Sequence, residues 1–420
     1  MKKIIISIII MVLCAGISVG IGITYNNKKQ ADSENSDFAN AKEEIAVYDS
    51  NNASSLIVWY CDKEMADYID TVVNSFSSEK NVAIKASYVA ESEMLEKINA
   101  SNIDEDEQSA DIYFIGSESL EKAFLAGLTE TIDDMEIFNE ENFSQTAISA
   151  CTYQGKMIAY PLCYETSVLA YNTDYVSAAP ETFDSILEDA SNDEIEYPEN
   201  ITSILKWDVK QLQYNFAFAG SYLEYGGSNG DDETVLNLNN SSVLEAMEYY
   251  YDLYQFFSID INDAAYDDVL EEFINGDYIY TIVNSKDIAT LEESGINYGI
   301  AVIPDMTDEL STTALSLTTT AIINPYSENE SVAGDFIKYI AYDNAGIIYD
   351  SCGYMPCAKV ENYETGTMST VVQAYDESIS LPKLMSASDY WVYLEIALNE
   401  VWSGEDIEET MNALQEQMEK

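Results

Sequence analysis

From residue 56 onward the apolar positions switch repeatedly between two spacings. Leu56-Ile-Val-Trp-Tyr60 is a dense run of β-branched and aromatic residues, which predicts a buried strand. Behind it Met65, Tyr68, Ile69, Val72, Val73 and Phe76 recur at helical spacing and predict a helix with one apolar stripe. Val82, Ile84, Ala86 and Tyr88 alternate with Ala83, Lys85 and Ser87 as a second strand. Met94, Leu95 and Ile98 mark another helix, Asp111-Ile-Tyr-Phe-Ile115 a third strand, and Leu120, Ala123 and Phe124 the helix after it. Strand and helix in strict alternation predict a parallel sheet with right-handed crossovers, and hence an α/β fold.

The alternation loosens after Ala126. Met157 to Tyr160 and Ser167 to Tyr171 are expected as two strands joined through Pro161-Leu-Cys-Tyr-Glu-Thr166. A mostly helical stretch is expected next, dense in Trp207, Tyr214, Phe216, Phe218 and Tyr222. Val243, Leu244, Met247, Tyr250, Tyr251 and Tyr254 predict a strong amphipathic helix. Strands follow at Tyr278 to Val283, Tyr298 to Ile303 and Leu317 to Ile323, then a helix through Val332, Phe336 and Ile340. The tail from Asp389 is helical, with Ile407, Met411, Leu414 and Met418 on one face.

Residues 1–25 follow different rules. Lys2 and Lys3 precede an uncharged apolar run from Ile4 to Tyr25, the form of a signal peptide or a membrane anchor. Cys14 invites comparison with a lipidated cysteine, but Leu13 stands where a small residue normally precedes one. Residues 26–54 are polar and too poor in apolar side chains to bury a core, so a flexible tether is expected. About 365 residues remain, more than one core usually serves, and two lobes are expected.

Composition then removes most chemistries. The chain has no histidine, no arginine, 18 lysines and 76 acids, for a net charge of -58. Without imidazole there is no Ser-His or Cys-His nucleophile pair and no His-ligated zinc. Without guanidinium there is no two-point clamp for phosphate or carboxylate. The charge repels nucleic acid and anionic membrane surfaces. Neither a cofactor nor a metal is implied, and no catalytic residue is identified. Of the five cysteines beyond the apolar run, Cys352 and Cys357 either pack as small residues or close a local disulfide. Gly226-Gly-Ser-Asn-Gly-Asp-Asp-Glu233 lacks the lysine of a P-loop and the spacing of an EF-hand, which leaves a surface turn.

Four stretches carry a resemblance. They are Leu56-Ile-Val-Trp-Tyr-Cys-Asp62-Lys63, Gly155-Lys-Met-Ile-Ala-Tyr-Pro-Leu-Cys-Tyr-Glu165 running on to Tyr171-Asn-Thr-Asp174, Phe273-Ile-Asn-Gly276 with Tyr280-Thr-Ile282, and a C-terminal set. The last comprises Phe336-Ile-Lys-Tyr-Ile, Gly353-Tyr-Met-Pro356, Tyr390-Trp391 and Trp402-Ser-Gly404. In this order they resemble the extracellular solute-binding proteins of sugar ABC transporters, the group typified by maltose-binding protein. The resemblance implies a two-lobe periplasmic-binding-protein-like fold with a hinged cleft. Lobe one would take residues 55–163 and 319–357, and lobe two residues 164–318 and 358–420.

The resemblance also implies a ligand set. A sugar needs carboxylates for its hydroxyls and flat rings for its C–H faces. Asp62 and Lys63 stand where a strand opens into a loop, although Asp62 equally fits a helix N-cap. Glu118 and Glu165 match acidic contacts, and Tyr214 and Trp391 match stacking rings. Asn284-Ser-Lys-Asp287 departs from a pattern that often carries tryptophan, and Glu395 stands where a basic residue can occur.

The expected function is the substrate-binding component of an ABC importer: an extracellular receptor, tethered to the outer face of the membrane, that closes on a carbohydrate and hands it to permease subunits. An exported glycosidase using paired carboxylates, a binder of a cationic solute such as a polyamine, and a sensor subunit stay open as alternatives.

Overall fold

The computed structural model describes residues 45–47 and 55–420, apart from 105–107, 134, 193–195 and 364–365. The expected leader or anchor at 1–25 and the tether lie outside the described residues, apart from a short strand at Ile45–Val47. Among the described residues, no helix is long and apolar enough to cross a membrane.

The first half follows the predicted alternation. Strands β1 (Ser55–Tyr60), β2 (Ala83–Tyr88) and β3 (Ile112–Gly116) lie parallel, with β1 between the other two. Helix α1 (Ala66–Lys80) buries Tyr68, Ile69, Val72, Val73 and Phe76, the stripe read from spacing, and stops at Asn81 in the left-handed conformation. Helix α2 (Glu91–Ile103) buries Met94, Leu95 and Ile98.

One expectation changes. The two strands anticipated around Pro161 are a single strand, β4 (Tyr160–Asn172). Proline has no amide hydrogen for a ladder bond and is tolerated where pairing is irregular. Here the register slips opposite it, between Thr319 and Thr320 of the partner strand β8 (Leu315–Ile323). The strand therefore runs straight through. Residues 160–166 of β4 pair with β8, while residues 167–172 pair with β6 (Tyr278–Asn284) and β7 (Tyr298–Ala301). β5 (Ser203–Leu205) completes the path β2-β1-β3-β8-β4-β6-β5. β4 and β8 are thus the shared strands between the halves of a two-lobed α/β fold.

The stretch expected as mostly helical between Asn172 and Val243 is mixed. It holds a helix at Phe183–Ala190, two short helices at Leu212–Asn215 and Ala217–Gly220, and a hairpin pairing Glu224–Gly226 with Asp232–Asn237. The glycine-rich segment is the turn of that hairpin, with Gly226, Gly227 and Gly230 all at positive φ. Helix α3 (Ser241–Phe257) follows, and the tail forms two helices, α4 (Ala387–Trp402) and α5 (Ile407–Met418).

The second half is held by an aromatic core. Trp207 and Trp402 meet edge to face at 5.2 Å, and Phe218 and Tyr250 pack around them. Asn215 Oδ1 accepts from Trp207 Nε1 and Tyr250 OH, each at 2.9 Å, and its Nδ2 donates to two backbone carbonyls. A buried amide satisfied on both sides contributes to the fold instead of penalising it. The cysteines at 61, 151, 163, 352 and 357 are all free thiols, so no bridge joins Cys352 to Cys357.

Candidate ligand-binding cleft

β1 and β3 both end at the same edge of the parallel sheet, where open α/β sheets collect ligands. The chain leaves β1 at Cys61 and Asp62 and leaves β3 at Gly116 and Glu118, and both segments face one cavity of about 470 Å³. Leu317, Thr318 and Thr319 of β8 and Glu165 of β4 also line it. The first turns of α4 complete the lining with Ala387, Ser388, Trp391 and Val392. Positions at i, i+1, i+4 and i+5 share one helix face, so the spacing alone aims these four together.

Four of the six residues picked from the sequence therefore meet: Asp62, Glu118, Glu165 and Trp391. Asp62 has both roles weighed for it. Its Oδ1 caps the following turn by accepting from Glu64 N at 2.9 Å, and its Oδ2 accepts from Tyr354 OH. Glu165 accepts from Asn284 Nδ2. Burial raises the Glu165 carboxyl above its ordinary range, against the opposing pull of Lys286 and the Asn284 bond. Glu118 is pushed up further, to about 8, by burial first and then by the carboxylate of Glu91.

Two do not line the cavity. Lys63 is exposed, and its ammonium lies 5.1 Å from the Tyr88 ring centroid, attracted to that π face. Tyr214 is only 4 % exposed and stacks flat on Tyr266 at 4.5 Å, because the short helix carrying it turns its ring into the second core. Trp207 is likewise core, and Tyr222 OH accepts from Ser311 N at 2.6 Å. Tyr354 and Glu91 were missed. Tyr354 stands in the Gly353-Tyr-Met-Pro356 stretch, where its phenol could have been read as a partner for an acid. Glu91 opens α2 and accepts from Gly116 N at 2.9 Å, a contact between segments that linear spacing does not encode.

A model of the family described as bacterial extracellular solute-binding protein matches residues 71–362. The chain belongs to this family. This solute-binding protein is 23% identical over 376 residues to the maltodextrin-binding protein of Bacillus subtilis, covering 86% of this chain and 88% of the relative. It is 21% identical over 383 residues to a galactooligosaccharide-binding protein of the same organism, covering 86% and 88%. Among solved structures, a cyclo/maltodextrin-binding protein complexed with maltotetraose superposes with a TM-score of 0.73 at 18% identity, over 89% of this chain and 98% of that one. An extracellular solute-binding protein from Staphylococcus aureus in complex with maltose gives 0.73 at 18% identity, over 88% and 98%. These likenesses establish the two-lobed fold of the solute-binding protein.

The raised Glu118 carboxyl gives a signed expectation. The folded state holds its proton up to about pH 8, whereas the unfolded chain releases it near the ordinary value of 4.5. The folded form therefore binds more protons across that window, and its stability falls as pH rises through it. Glu118→Gln removes the titration. Its melting temperature should exceed that of the wild type at pH 8 and match it at pH 4.5; equal differences at both pH values would contradict the assignment.

Proposed function

We propose that this chain is the substrate-binding component of an ABC importer and that it captures an oligosaccharide in the cleft between its lobes. The observation that carries the reading is the convergence of one tryptophan and three acids on a single cavity beside the shared strands. Trp391 offers a flat apolar face, while Asp62, Glu118 and Glu165 offer acceptors for hydroxyls. The relatives named for maltodextrin and galactooligosaccharide favour this over a glycosidase or a polyamine binder. Lobe one takes residues 55–163 and 319–357, and lobe two the remainder to 420. The switch of β4 partners after Thr166 supports that division.

Capture is by closure. The lining residues at the ends of β1 and β3 belong to lobe one and those on α4 to lobe two, so a ligand touching both gains contacts as the lobes approach. The permease subunits then read the closed form. Tethering to the outer face of the membrane through residues 1–25 belongs to the same reading, and relatives from Streptococcus pneumoniae described as maltooligosaccharide ABC transporter solute-binding lipoproteins support it. The chain acts as a receptor and leaves its ligand uncleaved.

A thermal-shift screen tests this directly. Linear glucose or galactose oligomers should raise the melting temperature, because a ligand at a hundred times its Kd adds about 2.7 kcal/mol of apparent stability. Chromatography of the recovered sugar should show it intact. Stabilisation by spermidine and by no saccharide, or turnover of the sugar, would overturn the reading.

A further inference from the structure

Glu165 faces the cleft, so its neighbour Tyr164 faces away from it, because successive residues of a strand point to opposite sides of the sheet. There Tyr164 lines a second cavity, of about 440 Å³. The residue is 2% exposed and stacks on Tyr375 with ring centroids 3.6 Å apart and planes 5° from parallel. The Tyr375 hydroxyl meets Thr318 Oγ1 at 2.8 Å. The Tyr164 hydroxyl, by contrast, is buried without a hydrogen-bond partner among the described residues. Burial first, and then Cys357, Asp376 and Tyr363 near it, push this phenol well above its ordinary value, so it keeps its proton. Those three neighbours line the same cavity. A buried donor without a partner loses its hydration for nothing, and an oxygen on a ligand would restore the missing bond.

The mouth of this cavity is acidic. Helix Gly366–Asp376 carries Ser369, Val372, Gln373 and Asp376 at i, i+3, i+4 and i+7, one helix face, and all four line the cavity. Asp376 Oδ1 accepts from Ser144 Oγ at 2.6 Å, and Glu377 Oε1 accepts from Gln373 Nε2 at 2.9 Å. The second oxygen of each carboxylate has no partner among the described residues. Both acids are exposed, whereas Tyr164 is buried, so charge lies outside and the unpaired hydroxyl inside. Lys359 is the one cation in the lining, and its ammonium turns to Glu140 O at 2.6 Å. Pro356, Val360 and Val372 give the cavity apolar wall.

We propose that this cavity is a second binding site, for a small cyclic amine-bearing molecule with one oxygen: the oxygen accepts from Tyr164, the ring lies on the apolar wall, and the ammonium meets Asp376 and Glu377. The volume suits a single ring with a short side chain. A net charge of -58 draws cations to the surface, and the two carboxylates focus that attraction at the mouth. An anion would be repelled by both. The site lies on the other face of β4 from the sugar cleft and does not depend on the saccharide reading.

Calorimetric titration of the full-length protein with tyramine, phenethylamine and 4-ethylphenol tests each part. Tyramine has ring, oxygen and ammonium; phenethylamine lacks the oxygen, and 4-ethylphenol lacks the ammonium. Tyramine should bind, and the other two should bind at least about tenfold more weakly. Tyr164→Phe should weaken tyramine about tenfold while the melting temperature holds or rises, since a stranded hydroxyl is removed. Asp376→Asn combined with Glu377→Gln should weaken tyramine by at least as much. Trp391→Ala, which alters the cleft, should leave tyramine affinity within about threefold. No binding of tyramine, 4-ethylphenol bound as well as tyramine, or full affinity in Tyr164→Phe overturns the site. Loss of tyramine binding in Trp391→Ala overturns it too, by putting the amine in the cleft.

Discussion

Trp391→Ala should weaken oligosaccharide binding by about 30- to 100-fold, a loss of about 2–3 kcal/mol, with only a modest fall in melting temperature. The ring is half-buried on the cavity wall, so it is available to a sugar face that would otherwise stay wet. Its removal leaves the main partner of the neighbouring acid in place, since Glu395 still accepts from Leu212 N at 2.9 Å. The ring also packs along the edge of the second core, so the fold gives up a partly buried contact and loses a modest amount of stability. Titration of the variant beside the wild type checks both parts. A Kd within threefold of the wild type would remove Trp391 from the site, and a large fall in melting temperature would make it a core residue after all.

Trp402→Ala should do the reverse, lowering stability by about 3–5 kcal/mol in denaturant unfolding. Its ring is 1% exposed and touches Trp207, Tyr250 and Tyr254, and its Nε1 donates to Ile259 O at 3.1 Å. Truncation opens a cavity among rings that cannot easily collapse and strands that carbonyl. Trp402→Phe keeps most of the packing and should cost roughly half as much. A loss below about 1 kcal/mol for the alanine variant would mean that the second core can repack. Once allowance is made for lost native protein, affinity should be unchanged, because Trp402 lies away from the cavity walls.

The alternating half of the fold could be read from the chain because helix and strand periods are local properties. Tyr68, Ile69, Val72, Val73 and Phe76 are buried as their spacing requires. Pro161 misled because its usual effect, ending a strand, was cancelled by a register slip contributed from Thr319 and Thr320, more than 150 residues away. The same distinction separates the site residues. Asp62, Glu118 and Trp391 are aimed by the strand end or helix face that carries them. Tyr214 depended on which way a four-residue helix faced, and Tyr266 settled that by stacking on it. Glu91 reaches the cleft through its contact with Gly116, so nothing in its own surroundings in the sequence marked it, whereas Tyr354 stood in a stretch already singled out and only its contact with Asp62 had to come from the fold.

A chain without imidazole also has a quiet background for proton counting. No histidine exchanges protons between pH 6 and 8, so the Glu118 carboxyl, pushed up to about 8, stands out in that interval. Any ligand that displaces or captures its proton will make the heat of binding vary with the ionisation enthalpy of the buffer. The cleft thereby carries its own label, and two titrations in phosphate and Tris would report whether a sugar hydroxyl meets an acid or its conjugate base.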